Sequence, residues 1–350
     1  MLLAAALTVG LALVGLLVAL TDGRELIRTA AGIRPMMLAL PVVLTLLSYA
    51  TMSRSYQGIA DAAQVHLPFR DWLRITFVSN TVNYLVTSAG LSGFAVRMYL
   101  LAQQGVPSGR AVLISLVQTF LTNFTLLLVI LGGFVALVVN ASLPGPAIVA
   151  ASVAVFTFTA VLGWAVVLVF NRRLRRRTLF FLANAAHVVL RRVVPRWTPG
   201  RVRLWRFQHD LNDGLEFLLA SKNKMIVPAF WILLDWALTV AILWSAFRAV
   251  NYSIGPGLVV VGFAVGICLS LVSLVPGGLG VMETSMTAVF VSLGVPAEPA
   301  VVAVLIFRVA YYILPLLASL FFFHSVMLQA VHRVADSGRM RFDTPLRPPI

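Results

Sequence analysis

Long apolar segments alternate with short polar ones along most of the chain. Segments able to cross the roughly 30 Å hydrocarbon core of a bilayer occur at residues 2–20, 36–53, 108–139, 145–170, 226–250 and 297–324. These six segments predict membrane-spanning helices. Two more regions, 72–104 and 255–293, each contain two apolar pieces separated by small residues. Each predicts a helical hairpin that either crosses the membrane fully or dips in and returns.

The second hairpin region is interrupted by Pro276, Gly277, Gly278 and Gly280. Proline removes a backbone donor and glycine tolerates left-handed geometry, so a helix should break here. Backbone groups freed inside a membrane persist only where protein or a water-filled cavity surrounds them. Glu283 follows within two turns and is costly at that depth without a partner. Broken helices with a nearby charge are typical of transporter binding sites.

The two hairpin regions resemble one another. In the first, Gly90 and then Arg97 precede the triplet that ends at Pro107. In the second, Gly278 and then Glu283 precede the same Gly-Val-Pro triplet at 294–296. Three crossings separate the hairpins, an odd number, so the two halves are predicted to be inverted. A chance coincidence of small residues is the alternative explanation.

The predicted fold class is therefore all-α, a polytopic membrane helix bundle with two inverted repeats, each containing a broken or re-entrant helical hairpin. Repeat one covers about 36–139 and repeat two about 226–325, within a single transmembrane domain over 1–350. Inverted repeats with discontinuous helices predict a site near the bilayer midplane, reached alternately from each side.

Composition agrees with a membrane protein, since 60% of the residues are hydrophobic and 11% are charged. The net charge of +15 lies mainly in loops, which favours cytoplasmic loops over a nucleic-acid partner. The segment 171–225 is predicted to be cytoplasmic and to carry an amphipathic helix on the membrane surface. Both termini are then cytoplasmic, in a multi-pass protein of a bacterial-type inner cell membrane. Only the loop with Arg24, Arg28 and Arg34 disagrees with this orientation.

No metal or cofactor is expected. The single cysteine, Cys268, excludes an intrachain disulfide, and the five histidines lack ligand spacing. The chain contains no zinc, P-loop or dinucleotide motif. The first apolar run lacks a basic leader and a cleavage site, so we interpret it as a retained span.

Four charges fall inside apolar segments, and each should face the bundle interior with a partner. For Asp235 we favour a structural ion pair, because nothing breaks the helix around it. For Glu283 and Arg308 we favour function, although a buried pair that only holds the bundle together is the alternative. The fourth charge, Arg97, lies in the first hairpin.

The predicted site combines an arginine with the amides that follow the break. The Gly277 and Gly278 amides and those that follow offer donors to an anion, and the Arg308 guanidinium can hold phosphate bidentately. Glu283 is predicted either to meet a headgroup amine or to carry a proton. Tyr312 lies one turn after Arg308. The predicted substrate-binding residues are Pro276, Gly277, Gly278, Gly280, Glu283, Arg308, Tyr312, Arg97, Gly90 and Asn83. A phosphate-bearing headgroup fits these groups best, and a small hydrophilic anion is the other possibility. Neutral polar lining is predicted from Asn80, Asn83, Thr87, Ser88, Ser92, Gln118, Thr119 and Asn123.

The motif Pro-Gly-Gly-Leu-Gly-Val-Met-Glu at 276–283, followed by Gly294, Ala300, Ala303 and Arg308, resembles the flippase-like family typified by the transmembrane region of lysylphosphatidylglycerol synthase. The resemblance implies translocation between leaflets of phospholipids, anionic or aminoacylated, or of polyprenyl-linked lipids in some members. That family generally has proline in the first hairpin and an acid-base pair in the next span. This chain has Thr87 and Gln118-Thr119 there, so charge-dependent roles of the first half do not carry over.

We therefore expect a lipid flippase that works by alternating access, with membrane lipids as its partners. The chain ends at Ile350 without the aminoacyl-transferase domain, so it is not expected to be an enzyme that makes lysyl lipids. Two rival functions remain: an intramembrane enzyme acting on a lipid-linked phosphate or sugar, and a noncatalytic membrane subunit. The sequence leaves the lipid, the direction, the energy source and the oligomeric state open.

Overall fold

The structure is a computed structural model that describes residues 23–33, 35–85, 91–140, 222–272 and 275–319, with isolated positions at 15 and between 156 and 216. All secondary structure in these residues is helical, as predicted. The α-helices are α1 (Gly23–Ala31), α2 (Pro35–Ala62), α3 (Phe69–Leu85), α4 (Leu91–Gln103), α5 (Ser108–Asn140), α6 (Ile226–Ala249), α7 (Pro256–Val272), α8 (Val281–Ser292) and α9 (Ala297–Arg308). Short 3-10 turns lie at Lys222–Met225 and Pro276–Gly278, and α9 runs into a π-helical turn at Val309–Ile313.

Four of the six predicted spans are confirmed as helices long and apolar enough to cross a membrane. They are Pro35–Ala62, Ser108–Gly133, Asn223–Ala249 and Ala297–Ser319. The predicted spans at 2–20 and 145–170 lie outside the described residues apart from isolated positions, and so does most of the cytoplasmic segment 171–225. The protein is thus an integral, multi-pass membrane protein.

Both predicted hairpin regions contain two helices, with a break between those of the second, whereas residues 86–90 between those of the first lie outside the described residues. In the first, α3 ends at Leu85 and α4 begins at Leu91, and in the second, α7 ends at Val272 and α8 begins at Val281. The second helix of each pair is short, with 13 residues in α4 and 12 in α8. At 1.5 Å per residue these helices are only about 18–20 Å long, less than the hydrocarbon core. A helix of this length favours a hairpin that returns before crossing.

The same order of helices occurs twice. Helices α2 to α5 and α6 to α9 each consist of a long helix, two shorter helices and another long helix, which in the second half is α9 together with its continuation to Ser319. The turns also match: Gln64 and Asn251 both have φ of 57°, and Gly105 and Gly294 have φ of 75° and 86°. This repeated order agrees with the predicted repeats, whereas their inversion across the membrane stays a prediction.

Each half has its own hydrophobic core. One cluster joins α2, α3 and α4 to the start of α5 and includes Trp72 and Leu101. The other joins α6 to α9 with the later part of α5 and includes Phe247, Phe263 and Phe290. The halves meet chiefly where α2 packs against α6 and where α5 packs against α7. Ser48 and Asp235, which meet between α2 and α6, are both buried.

Candidate functional site

The predicted break in the second hairpin is confirmed, and glycine is required in its backbone. Gly277, Gly278 and Gly280 have φ of 58°, 63° and 78°, a left-handed region that costs other residues about 1–2 kcal/mol each. The turn is closed by the amide of Gly278, which donates to the carbonyl of Val275 at 2.9 Å. The amide of Gly278 is therefore occupied, contrary to its predicted role as a phosphate donor. The amides left without intrahelical acceptors belong instead to the first turn of α8, after Gly280.

Glu283 and Arg308 meet directly, although 25 residues separate them. Helix α8 begins two residues before Glu283, and α9 ends at Arg308. Arg308 Nε donates to Glu283 Oε1 at 2.5 Å. Glu283 is 2% exposed and Arg308 is 6% exposed, so both charges are removed from solvent. Each charge supplies the partner that the other needs inside the membrane.

The remaining contacts of Arg308 fix its guanidinium against the break. Nη2 donates to the carbonyl of Gly277 at 3.0 Å, and Nη1 lies 3.6 Å from Met282 Sδ. The guanidinium carbon lies 3.9 Å from the centre of the Tyr312 ring. Tyr312 Oη lies 3.5 Å from the same sulfur. One arginine thus ties α9 to α8 and to the unwound turn that precedes α8.

A π-helical turn follows Arg308 and widens the helix at the site. Its signature is the amide of Leu314, which donates to the carbonyl of Val309, five residues earlier. Pro315 lies just beyond and lacks an amide hydrogen, which explains why regular hydrogen bonding fails here. Single π turns occur frequently at functional sites. A proline inside a span predicts a kink, but the sequence has no separate signal for this widened turn.

Two buried polar atoms in α8 have no hydrogen-bond partner within the described part of the chain. They are Glu283 Oε2 and Thr287 Oγ1, which lie one helical turn apart. Unsatisfied buried acceptors are rare in native proteins and mark places where a ligand, an ion or a water completes the structure. The unused oxygen of Glu283 can therefore accept a hydrogen bond from a bound cationic group.

The first hairpin contains a different polar cluster. Arg97 is 6% exposed, lies 4.5 Å from the centre of the Tyr56 ring, and reaches Ser79 Oγ at 3.4 Å. Its Nε has no hydrogen-bond partner among the described residues, and the same holds for the buried Oδ1 of Asn83. Gly90 lies outside the described residues. The contacts of Arg97 are thus separate from those of Arg308, although both were predicted to belong to one site.

Asp235 has a hydroxyl partner instead of the arginine favoured from the sequence. Ser48 Oγ donates to Asp235 Oδ1 at 2.5 Å. Throughout the described ranges, no Lys, Arg or His nitrogen lies within 4.0 Å of this carboxylate. Asp235 is 3% exposed and faces α2. Its ion pair with Arg97 or Arg308 is therefore absent from the structure.

The unwound turn of the second half lies against the first half. Residues 276–278 pack against α3, the helix that carries Ser79 and Asn83. In addition, Thr81 Oγ1 lies 3.4 Å from the carbonyl of Pro315. The predicted break is thus enclosed by protein, as unpaired backbone in a membrane must be.

Several contacts of the site are not evident from the sequence. Met282 is fully buried and contacts both Arg308 and Tyr312. The only sequence signal for Met282 is its position beside Glu283, and this does not distinguish it from the other apolar residues of the helix core. The contact between Arg97 and the Tyr56 ring could not be predicted, because nothing in the sequence indicates a contact between α2 and α4.

The fold and the site define a multi-pass helical membrane protein with a buried charge pair at an unwound turn. The chain matches the family described as the lysylphosphatidylglycerol synthase TM region over residues 3–319, and it belongs to this family. The resemblance noted from the 276–283 motif is thereby confirmed.

Two relatives match over shorter stretches. One is a UPF0104 membrane protein of Methanothermobacter thermautotrophicus, 32% identical over 109 residues, which is 31% of this chain and 31% of that protein. The other is a phosphatidylglycerol lysyltransferase of Staphylococcus haemolyticus, 31% identical over 86 residues, 25% of this chain and 10% of that protein. The chain therefore spans less than two thirds of the length of either relative.

Proposed function

We propose that this protein moves a phosphate-bearing lipid between the leaflets of a cell membrane, as a transporter and not as an enzyme. The observation that carries the proposal is the Arg308–Glu283 pair beside an unwound turn, with the second carboxylate oxygen of Glu283 unused. Membership of the lysylphosphatidylglycerol synthase TM family supports a lipid as the substrate. So does the partial match to a phosphatidylglycerol lysyltransferase.

The phosphate binds at Arg308 and the first turn of α8. A guanidinium has five N–H groups, and three of those of Arg308 point to Glu283, Gly277 and Met282. The other two remain for phosphate oxygens. The uncapped amides at the start of α8 add donors and the positive end of the helix dipole.

An amine in the headgroup binds at Glu283. Its Oε1 is held by Arg308, whereas Oε2 is buried and unpaired among the described residues. An ammonium group there gains a charge-assisted hydrogen bond in a medium with few competing water molecules. The pair therefore suits a headgroup with both a phosphate and an amine, such as an aminoacylated phosphatidylglycerol, better than a purely anionic one.

Movement of the two halves would expose this site to each leaflet in turn. The turn at 276–278 packs on α3 of the first half while its own half holds it through Arg308. A shift between the halves therefore opens the space beside the turn without breaking the Arg308–Glu283 contact. Short broken helices at a repeat interface are the elements that move in many transporters.

Reconstituted vesicles test the proposal. Purified protein is incorporated into vesicles with fluorescent aminoacylated phosphatidylglycerol, and a membrane-impermeant quencher reports how fast lipid leaves the inner leaflet. Arg308→Lys and Glu283→Gln each remove a charge-assisted hydrogen bond of about 1.5–3 kcal/mol, which predicts a roughly 10- to 100-fold slower exchange. Glu298→Gln, in the first turn of α9, is the matched control and should exchange lipid normally.

The outcomes separate the proposal from its rivals. Unchanged exchange by both charge variants, provided they fold, would assign the pair a structural role only. Recovery of chemically altered lipid would favour an intramembrane enzyme. Wild-type protein that moves no lipid alone but does so with a copurified partner would favour a noncatalytic subunit.

A further inference from the structure

A carboxylate lies between the first helices of the two halves and takes no part in the headgroup site. Helices α2 and α6 pack along one another, and Asp235 of α6 accepts a hydrogen bond from Ser48 of α2. Both helices are long and apolar enough to span a membrane. Asp235 therefore lies inside the hydrocarbon layer, at the interface that must change when the halves move.

No cation of the described chain neutralises this carboxylate. Arg308 is bound to Glu283, and Arg97 stacks on Tyr56. No ion pair to Asp235 within 4.0 Å exists in the described ranges. A carboxylate that is ionised in such surroundings is costly, so it requires a positive partner from the medium.

The groups facing Asp235 are neutral or already engaged. Tyr56 of α2 and Tyr311 after α9 lie within electrostatic range of it, and Tyr49 lies near Tyr311. Thr239 donates its hydroxyl to the backbone carbonyl of Asp235, not to its side chain. The other charged or titratable residues on elements packed against α6 are Arg54, Asp61, Arg110, Lys222, Lys224, Cys268, Glu298, Arg308 and Tyr312.

The Ser48–Asp235 contact lies at the centre of the repeat. The turns after α2 and α6 match at Gln64 and Asn251, with the same φ of 57°. The register that places Asn251 on Gln64 also places Asp235 on Ser48, since 187 residues separate each pair. Equivalent residues of two related units touch only near the axis that relates them. A rotation of one half against the other therefore acts directly on this hydrogen bond.

We propose that Asp235 binds a proton that couples lipid movement to a pH gradient. This proposal rests on the translocation function above and names its energy source. A proton from water on one side forms an O–H bond at Oδ2, while Ser48 holds Oδ1. When the halves shift, the bond breaks and the proton passes to water on the other side. When the Asp235 carboxyl is neutral, the two halves can move between these states. When it is ionised, the interface would stay in the state in which water reaches the carboxylate.

Infrared spectroscopy tests the proton directly and does not require transport. The reconstituted protein is titrated with acid, and the carbonyl band of a protonated carboxyl is followed, with deuterium exchange to identify it. We expect a band that titrates in wild type and in Glu283→Gln, is absent in Asp235→Asn, and shifts in frequency in Ser48→Ala because a hydrogen bond is lost. A wild-type spectrum without such a band at any pH would overturn the proposal.

A vesicle experiment tests the coupling. With one proton per lipid, a gradient of about one pH unit allows about tenfold accumulation of labelled lipid in one leaflet. We expect this accumulation for wild type and an even distribution for Asp235→Asn. Even distribution by wild type, or accumulation that follows a sodium gradient instead, would overturn the proton site while leaving translocation intact. Wild-type protein that exchanges no lipid under any gradient would instead refute the translocation function.

Discussion

Replacing Gly278 with alanine perturbs the unwound turn in two ways that can be separated. The first is backbone strain, because Gly278 has φ of 63°. The second is a collision, because an added Cβ would clash with the hydroxyl of Ser270 on α7 and lie 2.9 Å from its Cβ. Gly294 provides the matched control, since it has φ of 86° and an added Cβ there meets no atom within 4 Å.

The structure gives the size of each effect. A left-handed backbone costs a residue with a Cβ about 1–2 kcal/mol. Forcing a methyl group into a packed contact costs about 1–3 kcal/mol. Gly278→Ala should therefore destabilise the fold by about 2–5 kcal/mol, the sum of both terms, and Gly294→Ala by only about 1–2 kcal/mol.

Thermal unfolding of the detergent-purified protein measures the difference, with the fraction that remains monodisperse on size exclusion as the signal. The double variant Gly278→Ala/Ser270→Gly removes the collision but keeps the strain, so its Tm should rise toward that of Gly294→Ala. Ser270→Gly alone corrects for the glycine placed in α7, about 0.5–1 kcal/mol. Equal losses for Gly278→Ala and Gly294→Ala would refute the close approach of the turn to α7.

Three further sets of substitutions test the packing of α5 on α7, the buried ion pair and the turn after α2. Gly133→Ala should destabilise the protein by about 1–3 kcal/mol, because the added Cβ would lie 2.6 Å from a side chain of α7. The control is Gly132→Ala, where the added Cβ faces open space. In the same unfolding assay it should be neutral or stabilising by up to about 1 kcal/mol. Removing one partner of the buried pair, as in Glu283→Leu or Arg308→Met, should cost about 3–5 kcal/mol, while the double variant should unfold near wild type yet exchange no lipid. Gln64→Gly should raise Tm, with a gain of up to about 1 kcal/mol, because φ at this position is positive; a lower Tm would contradict the turn geometry.

The described helices and the break in the second hairpin were predictable because their causes are local. A span requires only a sufficient run of apolar residues, and four of those predicted are present as helices. The break at 276–280 follows from proline and glycine in one short stretch, and its glycines have the positive φ that their chemistry permits. The Arg308–Glu283 contact was predictable for a related reason, since two opposite charges in adjacent apolar helices each need a partner.

Contacts that depend on the register between distant helices were not predictable. The partner of Asp235 is Ser48, which lies 187 residues away on a helix whose packing against α6 leaves no trace in composition. Each of the four charges inside apolar segments was expected to have a partner, and among these four only Arg308 and Glu283 form an ion pair. Asp235 contacts a hydroxyl and Arg97 contacts an aromatic ring, and many serines and tyrosines in the sequence were equally eligible for these contacts.

The repeated backbone carries different chemistry in its two halves. Counting from the matching turns at Gly105 and Gly294, the position of Arg308 corresponds to Thr119, and that of Glu283 to Phe94. The first half therefore has no equivalent of the buried pair, although it has the same hairpin. In the proposed translocation, two halves with the same order of helices can exchange conformations at little net energy. In the proposed mechanism, the single charge pair is the one headgroup site that both states share, and the carboxylate of Asp235 lets those states differ in protonation.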